Sequence, residues 1–386
     1  MDQKHVCVVT GSRADYNYLK STIEKIKNST KLKLSLIVTG MHLLEKHGKT
    51  IKLIEKDRIP IAKIIPMYNE NDRSSKSLGK SVGESIIKFT EVFDELKPDL
   101  LLIVGDRFEA LVAALAASTL HIPIAHIGGG DISGNIDETL RHVITKLSHI
   151  HFPATPTSKE RIERMGEEHW RIQVVGSTTI DTIMNENLLN REKICDKLEL
   201  NASEKIVLCV LHPNVFESER AGEQMKITLQ VLKDMNLQTV IIYPNNDLGS
   251  HLIIQEINKN RNNPKFKIFK NLERKLYLSL LKNADLLIGN SSGGFYETPI
   301  FKIPVVNLGT RNKYREKIDN VINVDNFEYN KIKNAVNKSF SDEFRQICQD
   351  FSNPWGDGTA SDKIVNFLED LEINDNLLIK KLTYDI

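Results

Sequence analysis

The sequence predicts an α/β protein made of two doubly wound, Rossmann-like domains. Three observations carry that expectation. Short apolar runs recur and end in polar, glycine-containing turns, as at residues 5–10, 32–38, 100–104 and 122–127. Helix-length stretches separate them, the pattern of a parallel sheet covered on both faces. The same plan then starts again near Lys205, and 386 residues are enough for two such cores.

In the first half, strands are expected at residues 5–10, 32–38, 61–64, 100–104 and 122–127, with shorter ones at 149–152 and 172–175. Helices are expected over residues 16–28, 77–96, 108–120 and 136–147. Residues 176–203 read as the crossover, with a polar helix in the middle. The second half offers strands at 206–211, 238–243, 266–269, 284–288 and 303–307, and a last helix at 362–371. The expected division is 1–178, 179–360 and a tail, 361–386, that packs back on the first domain; residues 378–381 read as a solvated face. In doubly wound sheets ligands bind beyond the carboxyl ends of the strands. The polar turns here all fall at those ends, and two sheets facing across a cleft would bring them together.

Basic and acidic residues nearly cancel, 52 against 51, which argues against a broad nucleic-acid surface. Cys7, Cys195, Cys209 and Cys348 have no paired spacing, so neither a disulfide framework nor a zinc knuckle is suggested, which fits a reducing cytoplasm. No signal peptide and no bilayer-length apolar run are expected. His149 and His151 form a His-x-His pair with His142 nearby, but a metal site needs more converging ligands, so they read as structural.

The stretch Asp285–Glu297 is the most suggestive. A short strand breaks into Gly-Asn-Ser-Ser-Gly-Gly, where small residues, exposed N–H groups and the Ser291 and Ser292 hydroxyls suit a phosphate. Glu297, about one helical turn on, could accept hydrogen bonds from a ribose. A plain strand-to-helix turn with a serine cap fits the same residues. It is not a Walker loop, and no Gly-x-Gly-x-x-Gly fingerprint accompanies it.

Gly-Ser-Arg-Ala-Asp-Tyr at 11–16, Gly-Asp-Arg at 105–107, Ile-Asp-Glu-Thr-Leu-Arg-His at 136–142 and Leu-His-Pro at 211–213 occur in this order. Tyr-Pro-Asn-Asn-Asp at 243–247, Gly-Asn-Ser-Ser at 289–292 and Leu-Gly-Thr-Arg at 308–311 follow. With this ordered set, over about residues 5–370, the chain resembles the UDP-N-acetylglucosamine 2-epimerases, and most the hydrolysing branch of sialic and related nonulosonic acid synthesis. The resemblance implies a GT-B-like fold, a cytoplasmic homodimer or homotetramer, a UDP-sugar substrate, no cofactor, and no nucleic-acid or membrane partner.

It also implies roles. Removing a C2 proton while the C1–O bond breaks needs a base, charge neutralisation on the leaving diphosphate, and an acid/base pair to hydrate the resulting glycal. Asp106, Asp131 and Asp137 supply the carboxylates, which would shift one another's pKa if they converge. Arg141, four residues after Asp137, shares its helix face and can pair with it. His212 is a substrate-contacting or acid/base histidine. Arg13 is a candidate for the diphosphate, Arg107 for substrate or nucleotide binding, and Asn245, Ser291, Ser292, Glu297 and Arg311 for the nucleotide. Each has a plainer structural reading as well: a helix cap, a turn, a surface charge. One departure stands out: many relatives carry a catalytic Glu directly after His-Ile, where this chain has Gly128. Asp131 or another acid substitutes, the substrate differs, or activity is reduced.

UDP-N-acetylglucosamine is the first substrate expected, giving N-acetylmannosamine and UDP through 2-acetamidoglucal. A UDP- or GDP-linked N,N'-diacetylbacillosamine, of legionaminic acid synthesis, is the alternative. A non-hydrolysing epimerase, a GT-B glycosyltransferase and a non-catalytic nucleotide-sugar sensor follow.

Overall fold

The computed structural model describes residues 3–45, 48–69, 74–132, 137–245, 247–313 and 315–384. The chain divides into two compact units, Met1–Met184 with Pro354–Ile386, and Asn185–Asn353. The divisions thus fall at 184/185 and 353/354 rather than at 178/179 and 360/361. The first moves because the helix Thr178–Met184 stays with the first unit, where buried Asp181 accepts hydrogen bonds from the amides of Ala360 (3.1 Å) and Ser361 (2.5 Å) at the start of helix Ala360–Asp370.

The first unit holds β1 (Lys4–Thr10), β2 (Leu32–Thr39), β3 (Ile61–Ile65), β4 (Leu100–Val104), β5 (Ile124–Ile127) and β6 (Ile150–Phe152). All pair in parallel, in the order β3-β2-β1-β4-β5-β6. Period-2 alternation splits β1 between two cores: Val6 and Val8 pack into one, Cys7 and Val9 into the other. That is why these strands read as continuous apolar runs. The strand expected at 172–175 is only an isolated bridge between Ile172 and His151.

The second unit repeats the plan with β7 (Ile206–Val210), β8 (Gln238–Ile242), β9 (Phe266–Phe269), β10 (Leu286–Gly289), β11 (Val305–Leu308) and β12 (Val321–Val324). The order is β12-β11-β10-β7-β8-β9, again all parallel. β12 was not expected from the sequence; as an edge strand it is only partly buried, and Val-Ile-Asn-Val is too short and mixed to signal itself. The strand order reverses at β1/β4 in one sheet and at β7/β10 in the other, and doubly wound sheets open a ligand crevice at such points.

The crossover contains two helices, Thr178–Met184 and Arg191–Leu198. The expected solvated face near the C-terminus is corrected at Lys380. Its ammonium pairs with Glu167 at 2.7 Å and donates to the carbonyls of Lys146 and Ser148. Fully buried Arg171 donates to the carbonyls of Leu377 (2.8 Å), Asn376 (2.8 Å) and Ile379 (3.0 Å). The main-chain carbonyls of the tail thus find cationic donors, which charge patterning alone does not reveal.

Candidate active site

In the first unit the turn after β4 carries two ion pairs side by side. The Asp106 carboxylate accepts from the Arg141 guanidinium, and Arg141 also donates to the main-chain carbonyl of Asp131. Arg141 projects from helix Asp137–Leu147, so it reaches across to Asp106 from the helix face it shares with Asp137. Burial raises the Asp106 pKa, Arg141 opposes that, and the Asp137 carboxylate adds to it. Asp131 is oriented by Ser158, whose hydroxyl donates to it at 2.7 Å. The structure therefore brings Asp106, Asp131, Asp137 and Arg141 together.

Gly128 has φ +80° with no atom within 4 Å of where a Cβ would stand, so there is room for a side chain but a backbone that disfavours one. Two residues on, a Cβ at Gly130 would stand 2.2 Å from the Ser158 carbonyl oxygen. His126, buried and held neutral by desolvation with its pKa down at about 3, hydrogen-bonds through Nε2 to the Gly105 carbonyl at 2.7 Å. It ties β5 to the turn before Asp106, a role the sequence did not signal.

The second pair at this turn is Arg107 with Glu109. The guanidinium donates through Nε at 3.2 Å and through a terminal nitrogen at 3.4 Å to a carboxylate that is almost fully buried. Asp15 is close to both. Its pKa is pushed up to about 7, first by burial and then by Glu109, with Arg107 opposing. Arg13 opens helix Arg13–Asn28 and is exposed, behind Ser12 as the cap. The histidines have structural roles. The His151 imidazole meets Glu167 at 3.1 Å, His149 accepts the Ile124 amide at 3.1 Å, and His142 is exposed. Among the described residues no cluster of three metal-ligating side chains forms.

In the second unit the switch point is built around Asn290. Its carbonyl side-chain oxygen accepts the His212 amide at 2.7 Å, and its side-chain nitrogen donates to the His212 carbonyl at 2.8 Å. Its main-chain carbonyl gathers Arg311 at 3.1 Å and Asn312 at 3.0 Å. His212 Nδ1 accepts the Asn245 amide at 3.0 Å, so the neutral ring carries its proton on Nε2. Burial, with Arg311 adding, lowers its pKa to about 4. At neutral pH His212 is thus a donor. The buried side-chain oxygen of Asn245 has no hydrogen-bond partner among the described residues.

The expected helix after β10 is two short turns, Gly293–Tyr296 and Thr298–Phe301, broken at Glu297. The Ser291 hydroxyl accepts the Gly293 amide at 3.4 Å, and Ser292 precedes the first turn. Glu297 folds back beside the Tyr277 hydroxyl. A Cβ on Gly293 would stand 2.6 Å from its carboxylate and 2.8 Å from that hydroxyl. Burial raises the Glu297 pKa, while Arg274 and Tyr277 hold it back. Arg311, also lowered by burial, shares the loop with Arg315, which donates to Tyr296 at 2.8 Å.

An open pocket of about 890 Å³ in the first unit is lined by Trp170 and the C-terminal residues Phe367, Leu371 and Leu377, and by none of the acid/base groups described above.

Twin Rossmann-like sheets, with carboxylates gathered in one and a histidine, arginine and serine set in the other, give the chain a GT-B-like fold. The chain belongs to the UDP-N-acetylglucosamine 2-epimerase family, whose model matches residues 24–369. It falls in the hydrolysing branch of that family, the nucleotide-sugar 2-epimerases that break the glycosyl bond with inversion at C2. It is 37% identical to the UDP-N,N'-diacetylbacillosamine 2-epimerase (hydrolyzing) of Legionella pneumophila, covering 99% of this chain and 100% of that protein. To a UDP-N-acetylglucosamine 2-epimerase of Neisseria meningitidis it is 32% identical over 88% of each. Among solved structures, the fold matches UDP-GlcNAc 2-epimerase from Methanocaldococcus jannaschii with TM-score 0.77, 22% identity, and coverage of 94% and 99% of the two chains. A UDP-GlcNAc 2-epimerase from Neisseria meningitidis bound to UDP-GlcNAc matches with TM-score 0.76 at 20% identity, covering 94% and 99%.

Proposed function

We propose that this hydrolysing 2-epimerase acts on UDP-N,N'-diacetylbacillosamine, releasing UDP and the free C2-epimeric sugar for nonulosonic acid synthesis of the legionaminic type. The chemistry rests on one observation, the cluster of Asp106, Asp131 and Asp137 around Arg141. The choice of sugar is supported by the 37% identity over full length to the Legionella protein and 36% to a Campylobacter jejuni GDP/UDP-N,N'-diacetylbacillosamine 2-epimerase (hydrolyzing).

In this reading one carboxylate of the cluster takes the C2 proton. The C1–O bond breaks, the electron pair leaves with UDP, and a C1=C2 glycal forms. Arg13 and Arg107 neutralise the diphosphate, and neutral His212 donates from Nε2. A second carboxylic acid of the cluster returns a proton to C2 from the opposite face while water adds at C1 as hydroxyl and gives its proton back to that carboxylate. Ser291, Ser292, Glu297, Asn245 and Arg311 hold the nucleotide, with the unsatisfied Asn245 oxygen as an acceptor for it. Asp131, rather than a residue at Gly128, is the third carboxylate.

UDP-N-acetylglucosamine is the second reading, favoured by the 32% identity to the N. meningitidis protein. Incubation with either nucleotide sugar in D2O, followed by NMR, decides. Free UDP plus a sugar deuterated at C2 and epimerised is expected from the diacetylbacillosamine donor. Turnover of UDP-N-acetylglucosamine alone would move the substrate; turnover of neither would overturn the proposal.

A further inference from the structure

Glu109 has no assigned part in the reaction, yet its surroundings are built around it. It follows Asp106 and Arg107 by a few residues, at the start of helix Phe108–Thr119, and is 1% exposed. An ionised carboxylate is not left in such a place without compensation. Two glycines make the space. A Cβ on Gly11 would stand 2.5 Å from the Glu109 side chain, and one on Gly40 2.5 Å from its oxygen. Arg107 supplies the compensation through two guanidinium nitrogens, and the Tyr68 hydroxyl also bonds to it. The Arg107 side chain remains 35% exposed, so part of the guanidinium is left for another anion.

We propose that Glu109 is a positioning residue: clamped beneath Gly11 and Gly40, it fixes the Arg107 guanidinium beside Asp106 to receive the diphosphate of the nucleotide sugar. Arginine's planar fork makes this geometry; a lysine at 107 could hold only one point of contact. Asp15 completes the set: burial, and then the charge of Glu109, raise its pKa, with Arg107 opposing them. The inference rests on the epimerase reading, with Arg107 as a diphosphate ligand.

The test is steady-state kinetics of UDP release from UDP-N,N'-diacetylbacillosamine by the full chain, for Glu109→Gln, Arg107→Ala and the pair together. Glu109→Gln should raise KM about tenfold with a smaller change in kcat, as expected for loss of an oriented charged contact. Arg107→Ala should do at least as much, and the double variant should be no worse than Arg107→Ala, because the two act as one unit. Glu109→Asp, which keeps the charge, should recover part of the loss. A purely structural Glu109 would instead lower Tm and active fraction with KM unchanged, or give losses that multiply in the double variant; either result overturns the inference. Should Glu109→Gln not fold, the same comparison is made with Glu109→Asp in the wild-type and Arg107→Lys backgrounds, where equal KM effects overturn it. Turnover by the wild-type chain with KM unmoved in Glu109→Gln defeats this inference alone. A wild-type chain that turns over neither nucleotide sugar defeats the epimerase reading and the inference with it.

Discussion

Replacing Arg141 by Met would remove the charge while keeping much of the side chain's volume. Arg141 is 9% exposed and Asp106 20%, so the pair is screened only in part. Two unit charges about 4 Å apart interact by about 4 kcal/mol at an effective dielectric constant near 20. Water reaching the exposed part of Asp106 reduces that to about 1–2 kcal/mol. The sign follows from the local balance. Burial and Asp137 already raise the Asp106 pKa, and Arg141 is the largest influence lowering it, so its loss lets the pKa climb further. If ionised Asp106 is the base, the acid limb of kcat/KM should move to higher pH, with activity recovering toward high pH. The assay is initial-rate UDP release from pH 5 to 9. A uniform drop in rate with the acid limb in place would refute the link between this ion pair and the catalytic ionisation.

Two further outcomes are expected. Ser291→Ala combined with Ser292→Ala should weaken UDP binding by about 1–3 kcal/mol through loss of two phosphate hydrogen bonds; unaltered affinity by calorimetry would remove these serines from the nucleotide site. Asp15→Asn should stabilise the protein at high pH. The folded-state pKa of Asp15, about 7, lies above the ordinary carboxylate value, so the native state keeps a proton that the unfolded chain gives up. Stability therefore falls as pH rises from about 4 to 7, and the amide should recover about 1–3 kcal/mol at pH 8 but little at pH 4.5. Equal urea midpoints for variant and wild type at pH 8 would show that Asp15 carries no such cost.

The sequence determined the two doubly wound halves and most of their strands. Buried parallel strands must be continuously apolar and must end in turns, and both marks are local. It singled out Asp106, Asp131, Asp137 and Arg141 from ordered motifs and helical spacing. It also marked His212 and the Ser291–Ser292 turn from their places after β7 and β10. Only the tertiary structure decided which of these meet. Arg141 spans 35 residues of sequence to reach Asp106, because the two project from different elements at the carboxyl end of one sheet. Glu109 carries no mark in the sequence beyond its place in the first turn of an alanine-rich helix, and it is Gly11 and Gly40, from the ends of other strands, that close over it. Asn290 passed as part of a small-residue turn, yet it fastens His212, Arg311 and Asn312 through four hydrogen bonds to partners distant in sequence. Lys380 read as solvated because its partner Glu167 lies on a remote segment. Strand, turn and helix patterns are written in neighbouring residues; the pairing and desolvation of charges depend on residues that only folding brings together.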